Sequence, residues 1–344
     1  MASFRENMLI SALIPCHNEE KSIRKCVESL LNQTRKLDEI VVVNDGSTDR
    51  SGEILATFGD AIKVVTVAKA TGNKSYAQEI GLKFITGDVF IATDGDTVLD
   101  SRFAEEIAEG LKDPAVVAVG GYIRSLPYNW LTACRAFEYV VGQNLHKLAQ
   151  SYINFMFVIP GAAGAFRTEA FKKNVQFDHD TITEDLDFTY KFHELGLKIA
   201  YRREAISYTQ DPSTLSQDIN QVRRWYGGGW QCLKKHYRLV KTPAVALELS
   251  LIYIEGMLFS ALLFILPIVN LYVSAYFFGG YFVGSLAFAI WAAGKERRWD
   301  ILIVPFVYLL LVFINAYILY EQFGKEIILG KKNLVWFQPK RVQL

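Results

Sequence analysis

The stretch Val89-Phe90-Ile91-Ala92-Thr93-Asp94-Gly95-Asp96 passes directly from an apolar run into two carboxylates that flank a glycine. A short apolar run that ends at turn residues predicts a buried β-strand. Earlier runs of the same kind lie at 9–14, 39–43 and 62–67, and the second of these is followed by Asn44-Asp45-Gly46. The sequence therefore predicts four strands, of which two end in acidic side chains.

Amphipathic helical patterns lie between these predicted strands. Residues 20–33 and 75–85 place apolar side chains at the spacing of a helix that packs one face on a core. This alternation predicts an α/β fold with a mostly parallel sheet and helices on both of its faces. Ligands of such sheets bind at the carboxyl ends of the strands, where we expect Asp45, Asp94 and Asp96.

Carboxylates that share one sheet edge repel each other unless a positive charge lies between them. The sequence Asp94-Gly95-Asp96 presents two oxygen ligands around a tight turn, which suits a hard cation such as Mg²⁺ or Mn²⁺. An Asp-x-Asp loop is also common as a solvated turn without a metal. Its position directly after a buried strand favours the metal site.

Residues 181–187 (TITEDLD) are expected to open a further helix. Carboxylates in a first helical turn often serve only as charge partners of the helix dipole, and this is the simplest interpretation of Glu184. The same dipole would keep Asp185 ionised, as a general base requires. Both interpretations of this segment remain open from its residues alone.

The pentapeptide Gln221-Val222-Arg223-Arg224-Trp225 combines an amide, a guanidinium and an indole. Helical spacing places Gln221, Arg224 and Trp225 on one face, where they suit a diphosphate and the apolar face of a sugar ring. The alternative is an arginine-rich surface helix. The following Gly227-Gly228-Gly229 indicates either close approach of another surface or a flexible break.

The C-terminal third of the chain is almost free of charge. Residues 256–294 contain 39 positions without Asp, Glu, Lys or Arg, and residues 301–320 contain another 20. Since about 20 apolar helical residues cross a bilayer core, we predict three spans at 247–269, 271–293 and 301–323. Three buried helices of a soluble core are the alternative, although soluble helices usually carry a charged outer face.

The overall composition narrows the class of protein. With 51% hydrophobic residues the chain is not disordered, and with 37 basic against 36 acidic residues it lacks the basic excess of nucleic-acid-binding proteins. The four cysteines have no C-x-x-C spacing, so reduced structural thiols are expected and a zinc site is not. The first residues do not form a signal peptide, so the part before the predicted spans is expected in the cytoplasm.

Five motifs in this order resemble those of inverting family 2 glycosyltransferases of the membrane-bound, processive type, which include hyaluronan, chitin, cellulose and poly-N-acetylglucosamine synthases. The motifs are IPCHNEE at 14–20, VNDGSTD at 43–49, DGD at 94–96, TED at 183–185 and QVRRW at 221–225. The resemblance extends from about residue 9 to the last predicted span. It implies a GT-A-type, Rossmann-like sheet flanked by helices and followed by C-terminal transmembrane helices.

The resemblance also implies roles for individual residues. The nucleotide sugar would be held by Pro15, Asn18, Glu19, Asp45, Lys74, Asp94 and Arg224. Asp96, with Asp94, would ligate the Mg²⁺ or Mn²⁺ that bridges the donor diphosphate. Asp185 would deprotonate the acceptor hydroxyl, and Glu184 beside it is the second catalytic candidate. The acceptor would be bordered by Gln221, Trp225 and Gly161.

The implied organisation is a cytoplasmic glycosyltransferase domain at 1–243, a transmembrane region at 244–323 and a basic tail at 324–344. Interfacial helices are expected near 128–152 and 213–240, although the pattern of the first of these fits a core helix equally well. The implied location is the plasma membrane, with several spans and a cytoplasmic catalytic domain.

The implied function is metal-dependent, inverting transfer from a nucleotide-diphosphate sugar, with a UDP-sugar as the expected donor, to a growing polysaccharide or oligosaccharide. The alternative is transfer of one sugar to a lipid acceptor such as a polyprenyl phosphate or a glycolipid. The expected partners are the donor, a glycan or lipid-linked acceptor, the bilayer, and a second copy or other membrane subunits. A nucleic acid is not expected, and a transporter would need more polar groups in its spans.

Overall fold

The computed structural model describes residues 8–334 of the chain and divides into two compact units. The first unit contains residues 8–124 and 147–210, and the second contains residues 125–146 and 211–333. The predicted interfacial segment 213–240 falls in the second unit, whereas the segment 128–152 is divided between the two. Residues 335–344 of the predicted basic tail lie outside the described residues.

The first unit is built on eight strands. These are β1 (Ile10–Cys16), β2 (Glu39–Asp45), β3 (Lys63–Val67), β4 (Val89–Ala92), β5 (Thr97–Leu99), β6 (Val116–Ser125), β7 (Gly164–Arg167) and β8 (Lys198–Thr209). The four strands predicted from apolar runs correspond to β1–β4, which confirms them to within one or two residues at each end.

Helices are numbered along the whole chain. They are α1 (Ile23–Leu31), α2 (Ser51–Ala56), α3 (Lys74–Leu82), α4 (Phe103–Gly110), α5 (Trp130–Val141), α6 (Lys147–Tyr152), α7 (Thr168–Asn174), α8 (Glu184–Glu194), α9 (Leu215–Lys235), α10 (Pro243–Ser250), α11 (Gly256–Val269), α12 (Leu271–Glu296) and α13 (Val304–Phe323). Helices α5 and α9–α13 belong to the second unit.

The sheet of the first unit has the strand order β3-β2-β1-β4-β7-β6-β8-β5. Strands β3, β2, β1 and β4 pair in parallel, which confirms the prediction for the strands that the apolar runs identified. The later pairs β4–β7, β6–β7 and β5–β8 are antiparallel. The whole sheet is therefore mixed rather than mostly parallel, because β7 and β8 run antiparallel to strands beside them.

The parallel half of the sheet brings the ends of its strands to one edge. The register of β4 against β1 ends with Ala92 opposite Leu13, and β2 pairs in parallel with the other side of β1. The residues that follow β4, including Asp94, therefore leave the sheet on the same side as the end of β2 at Asp45. The expected common edge for these carboxylates is confirmed.

Two clusters of buried apolar side chains pack on opposite faces of the sheet. Since alternate residues of a strand face opposite ways, Val42 lies in one cluster, whereas Val41 and Val43 lie in the other. Both faces of β1, β2 and β4 are covered in this way, which explains why these strands appear in the sequence as continuous apolar runs. All four cysteines are free thiols and buried.

Three helices of the second unit are long and apolar enough to cross a membrane. They are Pro243–Val269, Leu271–Glu296 and Trp299–Ile328, with mean hydropathies of 2.2, 1.5 and 2.5. These helices contain the three predicted spans. Asn270 separates the first two and caps the second, since its Oδ1 accepts a hydrogen bond from the backbone N–H of Val273 at 3.0 Å.

Helix α9 continues without a break through Gly227-Gly228-Gly229. A Cβ atom at Gly229 would lie 3.1 Å from the hydroxyl oxygen of Tyr253, which itself donates a hydrogen bond to the carbonyl of Gly229. A Cβ atom at Gly227 would lie 3.1 Å from Oε1 of Gln322 in the third apolar helix. The interpretation of these glycines as a site of close approach is confirmed, and the flexible break is wrong.

Gly46 closes the turn after β2 with a φ of +59°, and a Cβ atom there would lie 2.2 Å from the backbone nitrogen of Ala70. We expect Gly46→Ala to destabilise the protein by about 2–4 kcal/mol, because it adds a backbone clash to left-handed strain. Thermal unfolding in detergent, followed by circular dichroism, measures this loss as a lower Tm.

Gly59→Ala is the matched control. Gly59 also has a positive φ, of +52°, but a Cβ atom there would have no neighbour within 4 Å. This variant should lose only the strain energy, about 1 kcal/mol. Equal losses of stability in the two variants would mean that the contact between Gly46 and Ala70 does not stabilise the protein.

Candidate active site

Asp45 is held at the end of β2 by Thr71, which precedes α3. Thr71 donates its backbone N–H to Oδ1 of Asp45 at 2.9 Å and its hydroxyl to Oδ2 at 2.7 Å. The Nδ1 atom of His17 lies 2.6 Å from the backbone carbonyl oxygen of Asp45. The carboxylate is buried and has a defined orientation, so this nucleotide-binding candidate is positioned by its neighbours.

The loop after β1 places Asn18 and Glu19 by hydrogen bonds to the loop after β2. Asn18 has a φ of +53°, and its Oδ1 accepts a hydrogen bond from the backbone N–H of Thr48 at 2.8 Å. Glu19 donates its backbone N–H to Oγ of Ser51 at 2.8 Å and accepts a hydrogen bond from the hydroxyl of Ser22 at 2.7 Å. Both predicted nucleotide contacts therefore also fix the shape of this edge.

Gly95, between the two predicted metal ligands, packs against the loop after β1. A Cβ atom at Gly95 would lie 3.3 Å from Cγ of Glu19 and 3.4 Å from the carbonyl oxygen of Pro15. Both contacts would be tight, so a glycine allows the acidic loop to approach Pro15. The spacing Asp-Gly-Asp thus has a packing reason as well as a chemical one.

The two carboxylates of the predicted metal site differ in exposure. Asp96 is buried and accepts a hydrogen bond from the hydroxyl of Thr97 at 3.2 Å, whereas the side chain of Asp94 is 30% exposed. Carboxylate oxygens at the end of a strand are the ligands that hard divalent cations prefer. The donor set fits such a cation, and Asp94 and Asp96 are the residues that would hold it.

Lys74, the first residue of α3, lies between two carboxylates that come from different segments. Its Nζ is 2.6 Å from Oδ1 of Asp94 and 2.8 Å from Oε1 of Glu184, and its side chain is only 10% exposed. Burial alone would lower the pKa of Lys74, but the charges of Asp94 and Glu184 raise it well above its ordinary value. The lysine is therefore a permanent positive charge at the acidic edge.

Glu184 and Asp185 open α8 as predicted, but they have different surroundings. Glu184 is buried and pairs with Lys74, so it does more than balance the helix dipole. Asp185 is half-buried, and its Oδ2 accepts a long hydrogen bond of 3.4 Å from the backbone N–H of Gly161. The other oxygen of Asp185, Oδ1, accepts a hydrogen bond from the backbone N–H of Leu186 at 2.9 Å, so the carboxylate has a defined orientation.

Gly161 lies directly beside the Lys74 amine. A Cβ atom at Gly161 would be 3.0 Å from Nζ of Lys74, 3.7 Å from Oε1 of Glu184 and 3.8 Å from Cβ of Asp185. Its lack of a side chain leaves room for this cluster. Gly161, a predicted acceptor residue, therefore lies beside Lys74, which is predicted to bind the nucleotide sugar.

Lys147, on α6, is a charged group near Asp185 that was not singled out from the sequence. Burial lowers the pKa of Lys147 to about 8, while the negative charge of Asp185 acts in the opposite direction. The Lys147 amine also lies 5.8 Å from the centre of the Tyr201 ring. The sequence signal that could have identified Lys147 is its place among apolar residues at helical spacing.

A second group of carboxylates lies just before and within α8. Asp178, Asp180 and Asp187 each place one carboxylate oxygen within 4.8 Å of the others. Lys191 already pairs with this group, at 2.8 Å from Asp178 and 3.3 Å from Asp187. This cluster is separate in sequence from the predicted Asp94–Asp96 site, and its own lysine supplies a positive charge.

The QVRRW motif at 221–225, in the second unit, lies on helix α9 as its spacing predicts. Gln221 is buried, and Arg224 and Trp225 are half-buried. The Trp225 ring packs on the guanidinium of Arg135, whose Cζ is 4.6 Å from the ring centre. This cation–π contact fixes the plane of the indole.

Arg135 is itself held in place by buried carboxylates. Its guanidinium pairs with Glu138 and with Asp218, each at 2.5 Å, and Tyr308 donates a hydrogen bond to Glu138 at 2.9 Å. The arginine is 7% exposed, which is rare for a charged residue unless it is paired. The charge of Arg135 within an apolar helical pattern was a visible signal, but its partners could not be read from the sequence.

The first unit thus brings Lys74, Asp94, Glu184, Asp185 and Gly161 into one cluster at the carboxyl edge of the sheet. The second unit presents Gln221, Arg224 and Trp225 on one helix. Thr71, which orients Asp45, has no distinguishing signal in the sequence.

Residues 11–174 match the family model described as glycosyl transferase family 2. The matched range includes β1–β4, Asp45, Lys74 and the acidic loop at 94–96. The chain carries a family 2 glycosyltransferase domain. Asp185, Gln221, Arg224 and Trp225 lie outside the matched range. The match assigns no role to a residue, so the roles of all the predicted site residues remain predictions.

Among curated relatives, the poly-beta-1,6-N-acetyl-D-glucosamine synthase of Staphylococcus epidermidis is 29% identical over 243 residues. The aligned region is 69% of this chain and 59% of that protein. The chain thus spans about three fifths of the length of this relative.

Two solved structures are similar in fold. The mannosyltransferase PcManGT of Pyrobaculum calidifontis, in complex with GDP-Man and Mn²⁺, has a TM-score of 0.65 and 19% identity, with 94% of this chain and 88% of that one covered. S. aureus TarS 1–349, in complex with UDP-GlcNAc, has a TM-score of 0.53 and 17% identity, with 93% and 92% covered. The first unit accordingly has the GT-A type of fold.

We expect Thr71→Val to weaken binding of a nucleoside diphosphate about tenfold, because it removes a hydrogen bond of about 1.5 kcal/mol to the Asp45 carboxylate. Calorimetric titration with UDP and with GDP measures the change. Thr57→Val is the matched control, since the Thr57 hydroxyl donates to the carbonyl of Ile54 on the exposed end of α2. Equal affinities in the two variants would mean that Asp45 does not depend on Thr71.

Proposed function

We propose that the protein is a metal-dependent, inverting glycosyltransferase that uses a nucleotide-diphosphate sugar to extend a polysaccharide or oligosaccharide at a membrane. The observation that carries this proposal is the cluster at the sheet edge. There, Lys74 bridges Asp94 and Glu184, and Asp185 lies beside Gly161. The cluster combines a candidate metal ligand, a candidate phosphate-binding cation and a candidate carboxylate base around Lys74 and Gly161.

The donor would bind across the carboxyl ends of β1, β2 and β4. Asp45, with Asn18 and Pro15, borders the position of the base and ribose, and Lys74 is the cation nearest to Asp94. A UDP-sugar is the expected donor. The name of the S. epidermidis relative and the UDP-GlcNAc complex of TarS support an N-acetylhexosamine, whereas the GDP-Man complex of PcManGT makes GDP the nucleotide to compare.

Bound Mg²⁺ or Mn²⁺ would neutralise charge that develops on the nucleoside diphosphate as it departs. Asp185 takes the proton of the acceptor hydroxyl, and Gly161 holds the carboxylate by its backbone N–H. A base that acts on the acceptor while the diphosphate leaves from the opposite face gives inversion in a single displacement. Arg224 would pair with the diphosphate, and Gln221 and Trp225 would border the acceptor.

The membrane location rests on the three apolar helices. If each helix crosses once, the chain returns after the second helix to the side from which it entered. The connection at 295–298 carries Lys295, Arg297 and Arg298, which is typical of a cytoplasmic loop. The first unit precedes the first helix and would therefore also be cytoplasmic, at the plasma membrane.

The direct test of the activity uses the full chain in detergent or nanodiscs with Mn²⁺ and labelled UDP- and GDP-sugars. We expect incorporation from a UDP-N-acetylhexosamine into a product that yields a ladder or a polymer on a sizing gel, and loss of incorporation when EDTA removes the metal. A single lipid-soluble product would favour transfer of one sugar to a lipid acceptor. Lack of transfer from every donor would contradict the proposal.

The role of Asp185 has its own test. We expect Asp185→Asn to lower kcat by at least a thousandfold, because the amide cannot accept the acceptor proton, while the affinity for nucleoside diphosphate stays within about threefold. Glu194→Gln, at the exposed end of the same helix, is the matched control and should keep normal turnover. Near-normal transfer by Asp185→Asn would remove this residue from the mechanism.

A further inference from the structure

Lys74 occupies a position between Asp94 and Glu184 that a divalent cation could not share. Its Nζ is 2.6 Å from Oδ1 of Asp94, the more exposed of the two candidate metal ligands. A metal ion bound to the same carboxylate would lie close to the ammonium group, and like charges at such distances repel strongly in a partly buried site.

The lysine is held where it is by the local structure. Asn73 caps α3, since its Oδ1 accepts a hydrogen bond from the backbone N–H of Ser75 at 3.0 Å, and this fixes the backbone at Lys74. The side chain of Lys74 is 10% exposed and that of Glu184 is 7% exposed. Gly161 lies directly beside the Lys74 amine. An amine that left Asp94 would keep only Glu184 as its partner, so a new anion beside it would favour this movement.

We propose that Lys74 is an internal counter-ion that competes with the divalent cation for Asp94. A nucleoside diphosphate supplies new negative charge, to which the lysine can move, and Asp94 is then free to bind the metal. Lys74 thus couples tight binding of the metal to the presence of the donor. This inference rests on the proposed donor and metal site at the sheet edge.

The position of Lys74 between Asp94 and Glu184 also explains how these carboxylates are neutralised when no ligand is bound. Asp94 and Glu184 come from loops far apart in sequence, yet the one amine compensates both. A neutral side chain at residue 74 would leave these two carboxylates facing each other. The site would then attract a divalent cation even without a nucleotide.

The test is the affinity for Mn²⁺, measured on the full-length protein by the electron paramagnetic resonance signal of free Mn²⁺. We expect Lys74→Met to bind Mn²⁺ at least tenfold more tightly than the wild type in the absence of nucleotide. The same variant should bind UDP or GDP at least tenfold more weakly, since it lacks a phosphate partner. Opposite changes of the two affinities are not expected from general damage to the fold.

Two further variants, one that conserves the positive charge and one that removes it, test whether the charge of Lys74 causes the effect. Lys74→Arg keeps the positive charge and should keep Mn²⁺ affinity within threefold of the wild type, whereas Lys74→Gln should behave as Lys74→Met does. Lys198→Met, which removes an exposed lysine paired with Asp113, is the matched control and should leave both affinities unchanged. If Lys74→Met does not fold, Lys74→Gln provides the same comparison.

The Asp178–Asp180–Asp187 cluster is another place at which Mn²⁺ could bind. The measurements are therefore repeated in an Asp180→Asn background, in which the gain caused by Lys74→Met should persist. Unchanged or weaker Mn²⁺ binding by both neutral variants would overturn the counter-ion role. A wild-type protein that binds neither Mn²⁺ nor a nucleotide, even when the two are combined, would instead contradict the proposed function itself.

Discussion

The positive charge of Lys74 is the interaction on which the acidic edge of the sheet depends. Three parallel strands end in or near carboxylates because the fold brings their carboxyl ends together, and α8 adds two more. Such a set of like charges is unfavourable unless a cation lies among them. The short contacts of Lys74 with Asp94 and Glu184 provide that cation and join the first half of the domain to the helix that carries Asp185.

The parallel half of this edge was predictable from the sequence, whereas the remaining contacts were not. Apolar runs identify β1, β2 and β4 because these strands are buried on both faces, whereas the run at β3 forms a largely exposed edge strand. Turn residues mark where Asp45 and Asp94 leave the sheet. Strands β5 and β7 escape this reasoning because they have only three and four residues, and β8 does so because most of its residues are exposed or half-buried. The partners of Lys74 escape it as well, because Glu184 is 110 residues away along the chain and only tertiary structure brings the two together.

In the second unit, too, the sequence predicts the helices but not the contacts between their side chains. Its apolar helices are evident from charge-free runs, but the surroundings of Trp225 depend on Arg135 and Glu138, which lie on the much earlier helix α5. The guanidinium of Arg135 is held in one position by its carboxylate partners. The Trp225 ring that packs on it is therefore also held in place. The helix that carries Trp225 is further fixed by glycine contacts, which leave little freedom for it to slide.

The pairing of β4 with β1 has a consequence for the evolution of the site. Strand β4 contains only four residues, and its last paired residue, Ala92, is two positions before Asp94. Side chains alternate between opposite faces along a strand, so a change of register by one residue would reverse every side chain in it. A one-residue deletion within β4 would therefore move Gly95 to the place of Asp94 and Asp96 to the place of Gly95. The number of residues in β4 is therefore as constrained as their apolar character. Exchange of one apolar residue for another should be tolerated here far more easily than an insertion or a deletion.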